Sequence, residues 1–109
     1  MKYDEIMNNL DVIAEHLDVP ELLAQLAEEA AELGHAALKL RRALTDTNPT
    51  PVKLKRAKEQ LQEEIADVFV CIDVLARAEN LDIMDVIFKK SEKLARWAER
   101  LERVEHGNE

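Results

Sequence analysis

The sequence predicts an all-α fold, a four-helix bundle centred on its third helix. Only two Gly and three Pro occur in 109 residues, so the chain has few places to turn and its elements must be long. Apolar residues recur at helical spacing along four stretches. Turn-forming residues cluster unmistakably in one place, Asp46-Thr-Asn-Pro-Thr-Pro51.

The first helix is predicted over residues 3–17, where Ile6, Leu10, Ile13 and Leu17 share a face. Asp18-Val19-Pro20 ends it and opens the second helix, because Pro is tolerated in a first turn. That second helix runs to about Leu44, with acids early and Lys39, Arg41 and Arg42 late, as the helix dipole favours. Beyond the Pro loop, a third helix is expected from Val52 to Ala78. Glu79-Asn80-Leu81-Asp82 then makes a short turn in which Asn80 or Asp82 supplies the N-cap. The fourth helix continues to about His106, and residues 107–109 form a frayed tail. The whole, residues 1–109, is expected to be one domain without internal repeats.

Between Ile65 and Ala78 the only charged residues are Asp67, Asp73 and Arg77. A helix apolar nearly all round is enclosed on several sides. One bundle of this size leaves part of it wet, so a homodimer or homotetramer is expected.

A net charge of −8 argues against a nucleic-acid polymer as partner, since phosphate backbones are bound by clustered Lys and Arg. It leaves room for a nucleotide bridged by a metal. Cys71 is the single cysteine and lies in an apolar run, which excludes an intramolecular disulfide and favours a buried structural thiol. The N-terminus has no apolar signal core and no run approaches membrane-spanning length, so a cytoplasmic protein with no membrane partner is expected.

Two acidic pairs interrupt otherwise greasy helix faces. Glu29 shares its face with Leu22, Leu26, Leu33 and Leu40, and Glu64 with Ala57, Val68, Cys71 and Leu75. Burying carboxylates among aliphatic side chains is costly unless a cation compensates them. Glu29 with Asp67, and Glu32 with Glu64, are each centred on position 48, the middle of the predicted loop. In a helical hairpin both pairs therefore meet at one level, roughly 18 Å from the turn. Within Glu29/Glu32 on one helix and Glu64/Asp67 on the other, the i,i+3 spacing points both carboxylates to one side. Glu29, Glu32, Glu64 and Asp67 are thus candidate metal ligands. Four hard oxygen donors suit Mg²⁺, or Mn²⁺ in its place, rather than Zn²⁺. Glu28 and Glu63 lie off the apolar faces. Two readings fit them equally: a catalytic base or second-metal ligand, or a solvated surface acid.

Glu28-Glu29-x-x-Glu32 followed by Glu64-x-x-Asp67, in the flanking text Leu26-Ala-Glu-Glu-Ala-Ala-Glu-Leu33 and Glu63-Glu-Ile-Ala-Asp-Val68, resembles the MazG-like nucleotide pyrophosphohydrolases of the all-α NTP pyrophosphatase superfamily. The likeness covers roughly residues 20–100. It implies Mg²⁺-dependent cleavage of a nucleoside triphosphate between its α and β phosphates, giving a monophosphate and pyrophosphate. It also implies metal-ligand roles for Glu29, Glu32, Glu64 and Asp67. A family Lys-x-x-x-Asn-x-x-Arg stretch that handles phosphates is matched in spacing by Lys89, Lys93 and Arg96, with Lys93 where the family has Asn.

Other candidates keep two readings each. Lys39 lies one heptad after Glu32 and either reaches a phosphate or is an ordinary helix-end lysine. Lys89, Lys90, Lys93 and Arg96 form either a phosphate-binding patch or a solvated face. Trp97 either stacks on a base or packs at an interface. Glu32-x-x-His35 has the spacing of a di-iron ligand pair, but no second Glu-x-x-His exists to complete it. Two alternatives to a general pyrophosphohydrolase remain open from sequence: a specialised dUTP, dCTP or phosphoribosyl-ATP pyrophosphatase, and a non-catalytic helical interaction module that keeps the fold.

Overall fold

The computed structural model describes residues 1–45 and 53–106, which form four α-helices and no strands. They are α1 (Tyr3–His16), α2 (Val19–Thr45), α3 (Leu54–Glu79) and α4 (Ile83–His106). The all-α prediction and the four elements hold. The Pro loop, the start of the third helix at Val52 and the tail at 107–109 lie outside the described residues.

Local chemistry explains the boundaries. Asp18 Oδ1 accepts the Glu21 backbone N–H at 2.9 Å and so caps α2, leaving Pro20 in the first turn where its missing N–H costs nothing. Asn80 ends α3 in the left-handed conformation (φ 55°), and the Leu81 N–H returns to the Ala76 carbonyl at 3.1 Å. Asn is among the few non-glycine residues that accept this backbone, and the bond closes a Schellman-type cap. Of the two N-cap candidates for α4, the structure selects Asp82, whose Oδ1 accepts the Asp85 N–H at 3.0 Å. Asn80 serves the preceding helix instead.

As expected, α3 is the central element: it packs along α2 and also carries α1. The core is Leu22 from α2 with Val74 and Leu75 from α3, against which Leu10, Ile13, Val19, Leu26 and Ala78 pack. At the other end of the hairpin the buried residues are Ala36 and Ala57, small enough to let the two backbones approach closely. Arg77 Nε donates to Asp11 Oδ1 at 2.8 Å and ties α1 to α3. Both partners are close to half exposed, so the pair contributes ~1 kcal/mol at most.

α4 departs from the closed bundle. Every one of its residues from Ile83 to Glu105 is exposed, although Ile83, Ile87, Leu94, Trp97, Leu101 and Val104 follow the alternating four-and-three spacing of a packing seam. The radius of gyration is 18.3 Å, against ~13 Å for a compact chain of this length. The accessible surface of 8922 Å² likewise exceeds the ~6,200 Å² typical of a 12.5 kDa monomer.

Candidate metal centre

The α2–α3 hairpin runs antiparallel. Going up α2 through Leu22, Gln25 and Glu29 to Ala36 and Lys39, the neighbours on α3 run backwards through Val74, Val70 and Asp67 to Glu64 and Gln60. This is the register that the centring on position 48 predicts. One carboxylate oxygen each from Glu29, Glu64 and Asp67 lies within 4.8 Å of the other two.

Electrostatics set these acids apart from surface carboxylates. Glu29 Oε2 and Glu64 Oε2 are buried and have no hydrogen-bond partner. Gln25 Nε2 donates to the other Glu29 oxygen at 3.0 Å. The Glu29 carboxyl is held above the usual carboxylate range, chiefly by burial and then by the negative charges of Glu32 and Asp67, while the Gln25 hydrogen bond pulls the other way. Burial also pushes the Cys71 thiol up, with the charges of Glu29 and Asp67 adding to it. Cys71 is buried, as its apolar context predicted, and stays a thiol rather than a soft thiolate ligand. Two orphaned carboxylate oxygens beside a third acid, with no thiolate, fit a hard divalent cation.

Burial divides the four predicted ligands. Glu29 and Glu64 are half-buried, whereas Glu32 and Asp67 are exposed, because the i,i+3 step carries one member of each pair toward the groove mouth. Glu32 is close enough to raise the Glu29 pKa, and it lines a polar cavity of about 210 Å³ with His35, Ala36, Lys39, Gln60, Glu63 and Glu64. Glu63 therefore adjoins the cluster, with Arg56 at 4.0 Å on its outer side. Glu28 is exposed and lines neither this cavity nor the one on the far side of the acids.

Of the candidate phosphate contacts, the structure brings Lys39 to the acids, where it forms no ion pair among the described residues. Lys89, Lys93, Arg96 and Trp97 lie on α4. Lys89 Nζ is engaged by Asp85 at 2.7 Å, and that hydrogen bond raises its pKa. A hollow of about 500 Å³ on α4 is lined by Val86, Lys89, Lys90, Lys93, Leu94 and Trp97. It shares no residue with the acidic cluster, and the side chains of one helix alone enclose nothing.

The structure adds three polar residues beside the acids that the acidic pattern does not mark: Gln25, His35 and Gln60. Gln25 was legible, since it precedes Glu29 by one helical turn. For His35 the sequence offers only the Glu32-x-x-His35 spacing, which says nothing of its place beside Lys39 and Glu64.

Fold and site together define a class, the all-α hairpin proteins that gather carboxylates from two antiparallel helices into one acidic cluster. The chain belongs to a particular family within it: the family model described as the MazG nucleotide pyrophosphohydrolase domain matches residues 18–101. No curated protein and no solved structure matches the chain. No helix among the described residues is long and apolar enough to cross a membrane.

Proposed function

We propose that this protein is a Mg²⁺-dependent nucleoside triphosphate pyrophosphohydrolase that releases a (deoxy)nucleoside monophosphate and pyrophosphate. The observation that carries the reading is the Glu29–Glu64–Asp67 cluster, with its two buried, unpartnered oxygens, in a MazG domain. Glu29, Glu64 and Asp67 would hold the cation, with Glu32 at the open side. When bound, the divalent ion supplies charge neutralisation for phosphate oxygens and a lowered pKa for coordinated water. Of the two acids offered as proton acceptor for the attacking water, Glu63 lines the polar cavity with Glu64. Glu28, exposed and outside that cavity, is the weaker candidate for the same role. The hairpin contributes rigidity, since carboxylates held on two packed helices need no reordering to bind the charge.

The working unit in this reading is a homodimer or a larger homo-oligomer. Phe69 on α3 (62% exposed) and Trp97 on α4 (59% exposed) are the anchors of apolar faces left uncovered in one chain. The surface in excess of a compact monomer, about 2,700 Å² per chain, exceeds the ~800 Å² that each partner buries in a standard interface. The test is pyrophosphate release from a panel of NTPs and dNTPs with Mg²⁺ and with EDTA. Cation-dependent monophosphate formation, abolished in Glu64→Gln and Asp67→Asn with helicity retained, is the expected result. Undiminished turnover in either variant overturns the site assignment.

A further inference from the structure

The acidic cluster lies between two unlike cavities. On the side toward the start of α2, a cavity of about 220 Å³ is walled by Ile13, Leu17, Leu22, Val70, Cys71 and Val74. Its polar residues are Glu29 and Asp67 of the cluster, and Gln25. On the loop side lies the polar cavity that Lys39 and His35 line, and a hollow of about 430 Å³ continues it along His35, Leu38, Lys39 and Arg42. His35, Lys39 and Arg42 follow at i, i+4 and i+7, so they form a ridge on one face of α2. Lys39 and Arg42 begin roughly 10 Å and 15 Å beyond Glu32 along the helix axis.

From this asymmetry, and resting on the pyrophosphohydrolase reading, we infer that the nucleotide binds in one direction along the α2–α3 groove. The base enters the apolar cavity beside Gln25, the α-phosphate lies at the acids, and the β- and γ-phosphates rest on the His35–Lys39–Arg42 ridge. Each end matches the chemistry it meets. An apolar cavity with one convergent amide suits a flat heteroaromatic ring, whose faces are desolvated cheaply and whose edge carries donors and acceptors. Its volume falls below the ~300 Å³ lower bound of whole-ligand pockets, so it takes the base and not the sugar and phosphates. Gln25 is held by its hydrogen bond to Glu29, which leaves its carbonyl oxygen and second N–H for the base edge. Gln25 is thereby the specificity-determining contact, coupled through that bond to the metal cluster. At the opposite end, the leaving pyrophosphate carries most of the substrate's charge, and a ridge with unpaired Lys39 supplies charge-assisted donors for it. A C-terminal run of cations that merely complements the helix dipole would bind neither pyrophosphate nor triphosphate selectively.

The polarity is tested by equilibrium binding with Mg²⁺ present, using three probes: an α,β-methylene NTP analogue, the matching nucleoside monophosphate, and inorganic pyrophosphate. The double variant Lys39→Ala/Arg42→Ala is expected to weaken the analogue and pyrophosphate about tenfold or more, the scale of a lost hydrogen bond to a charged group, with monophosphate affinity unchanged. Val70→Trp fills the apolar cavity from a position 53% exposed, and retained helicity by circular dichroism is the control for its fold. It is expected to weaken monophosphate and analogue together and leave pyrophosphate untouched. Chemical-shift mapping of the wild-type protein gives a readout independent of any variant: the monophosphate moves the Gln25 side-chain amide, and pyrophosphate moves the amides of residues 35–42. The reverse pattern, or pyrophosphate binding lost in Val70→Trp, overturns the polarity while the nucleotide reading stands. Wild-type protein that binds neither nucleotide probe overturns both.

Discussion

Trp97 is the single tryptophan of the chain and is 59% exposed, on a helix whose residues from Ile83 to Glu105 are all exposed. If a second copy covers α4, removing this side chain weakens association by an amount the structure allows one to work out. A Trp buries up to ~250 Å², so on the order of 150 Å² remains to be buried in the assembly. At ~25 cal/mol per Å² this corresponds to ~4 kcal/mol, or nearly three decades in Kd. Such a value lies within the range of an aromatic interface anchor. Trp97→Ala examined by sedimentation across a concentration series is expected to shift from assembled to monomeric at concentrations where the unaltered protein stays assembled. Because no other tryptophan contributes, emission of the unaltered protein reports the same event, blue-shifted when assembled and moving to the red on dilution. A species of 12.5 kDa at all concentrations with red-shifted emission would refute the argument that the exposed seam is an interface.

Further outcomes follow from the same geometry. Mg²⁺ at a hundred times its Kd should stabilise the native state by ~2.7 kcal/mol, which in a thermal melt is a rise of roughly 10 °C or more; Glu64→Gln should lose that rise while melting no lower in EDTA, and an undiminished rise would remove Glu64 from the ligand set. Because Glu29 has a folded-state pKa above its unfolded one, its contribution to the metal-free protein is fully present below the unfolded value and is lost as pH rises through the folded value. Acidifying the metal-free protein from neutrality into that window should therefore stabilise it relative to Glu29→Gln, and Mg²⁺ should abolish the difference because proton and cation compete; identical pH profiles in EDTA would count against the cluster. Gly34 lies inside α2 with open space where a Cβ would stand, so Gly34→Ala should stabilise by ~0.5–1 kcal/mol in denaturant titration. A loss of stability there would mean that a neighbour outside this chain occupies the space.

The predicted fold was legible because its signals are local. Asp18-Val-Pro20 and Asn80-Leu-Asp82 mark helix ends through hydrogen bonds that span five residues or fewer, and the helical spacing of Leu22 and Leu26, or of Cys71 and Leu75, announces a buried face. The acidic cluster was legible for a related reason. Two helices packed antiparallel leave a single free parameter, the register, and the acids themselves indicate it by matching across position 48.

What the sequence determined by itself is therefore the set of helices, the hairpin register, and the meeting of Glu29 with Glu64 and Asp67. Tertiary structure alone decided the rest. It separated half-buried Glu29 and Glu64 from exposed Glu32 and Asp67, placed Glu63 but not Glu28 beside the cluster, and set an apolar and a cationic cavity on opposite sides of the acids. It also left α4 exposed, so that Lys89, Lys93 and Trp97 line a hollow on that helix which shares no residue with the acidic cluster. The physical reason is that periodicity states which side chains share a helix face, whereas how deeply that face is buried depends on every other element packed against it, including elements that a single chain does not contain.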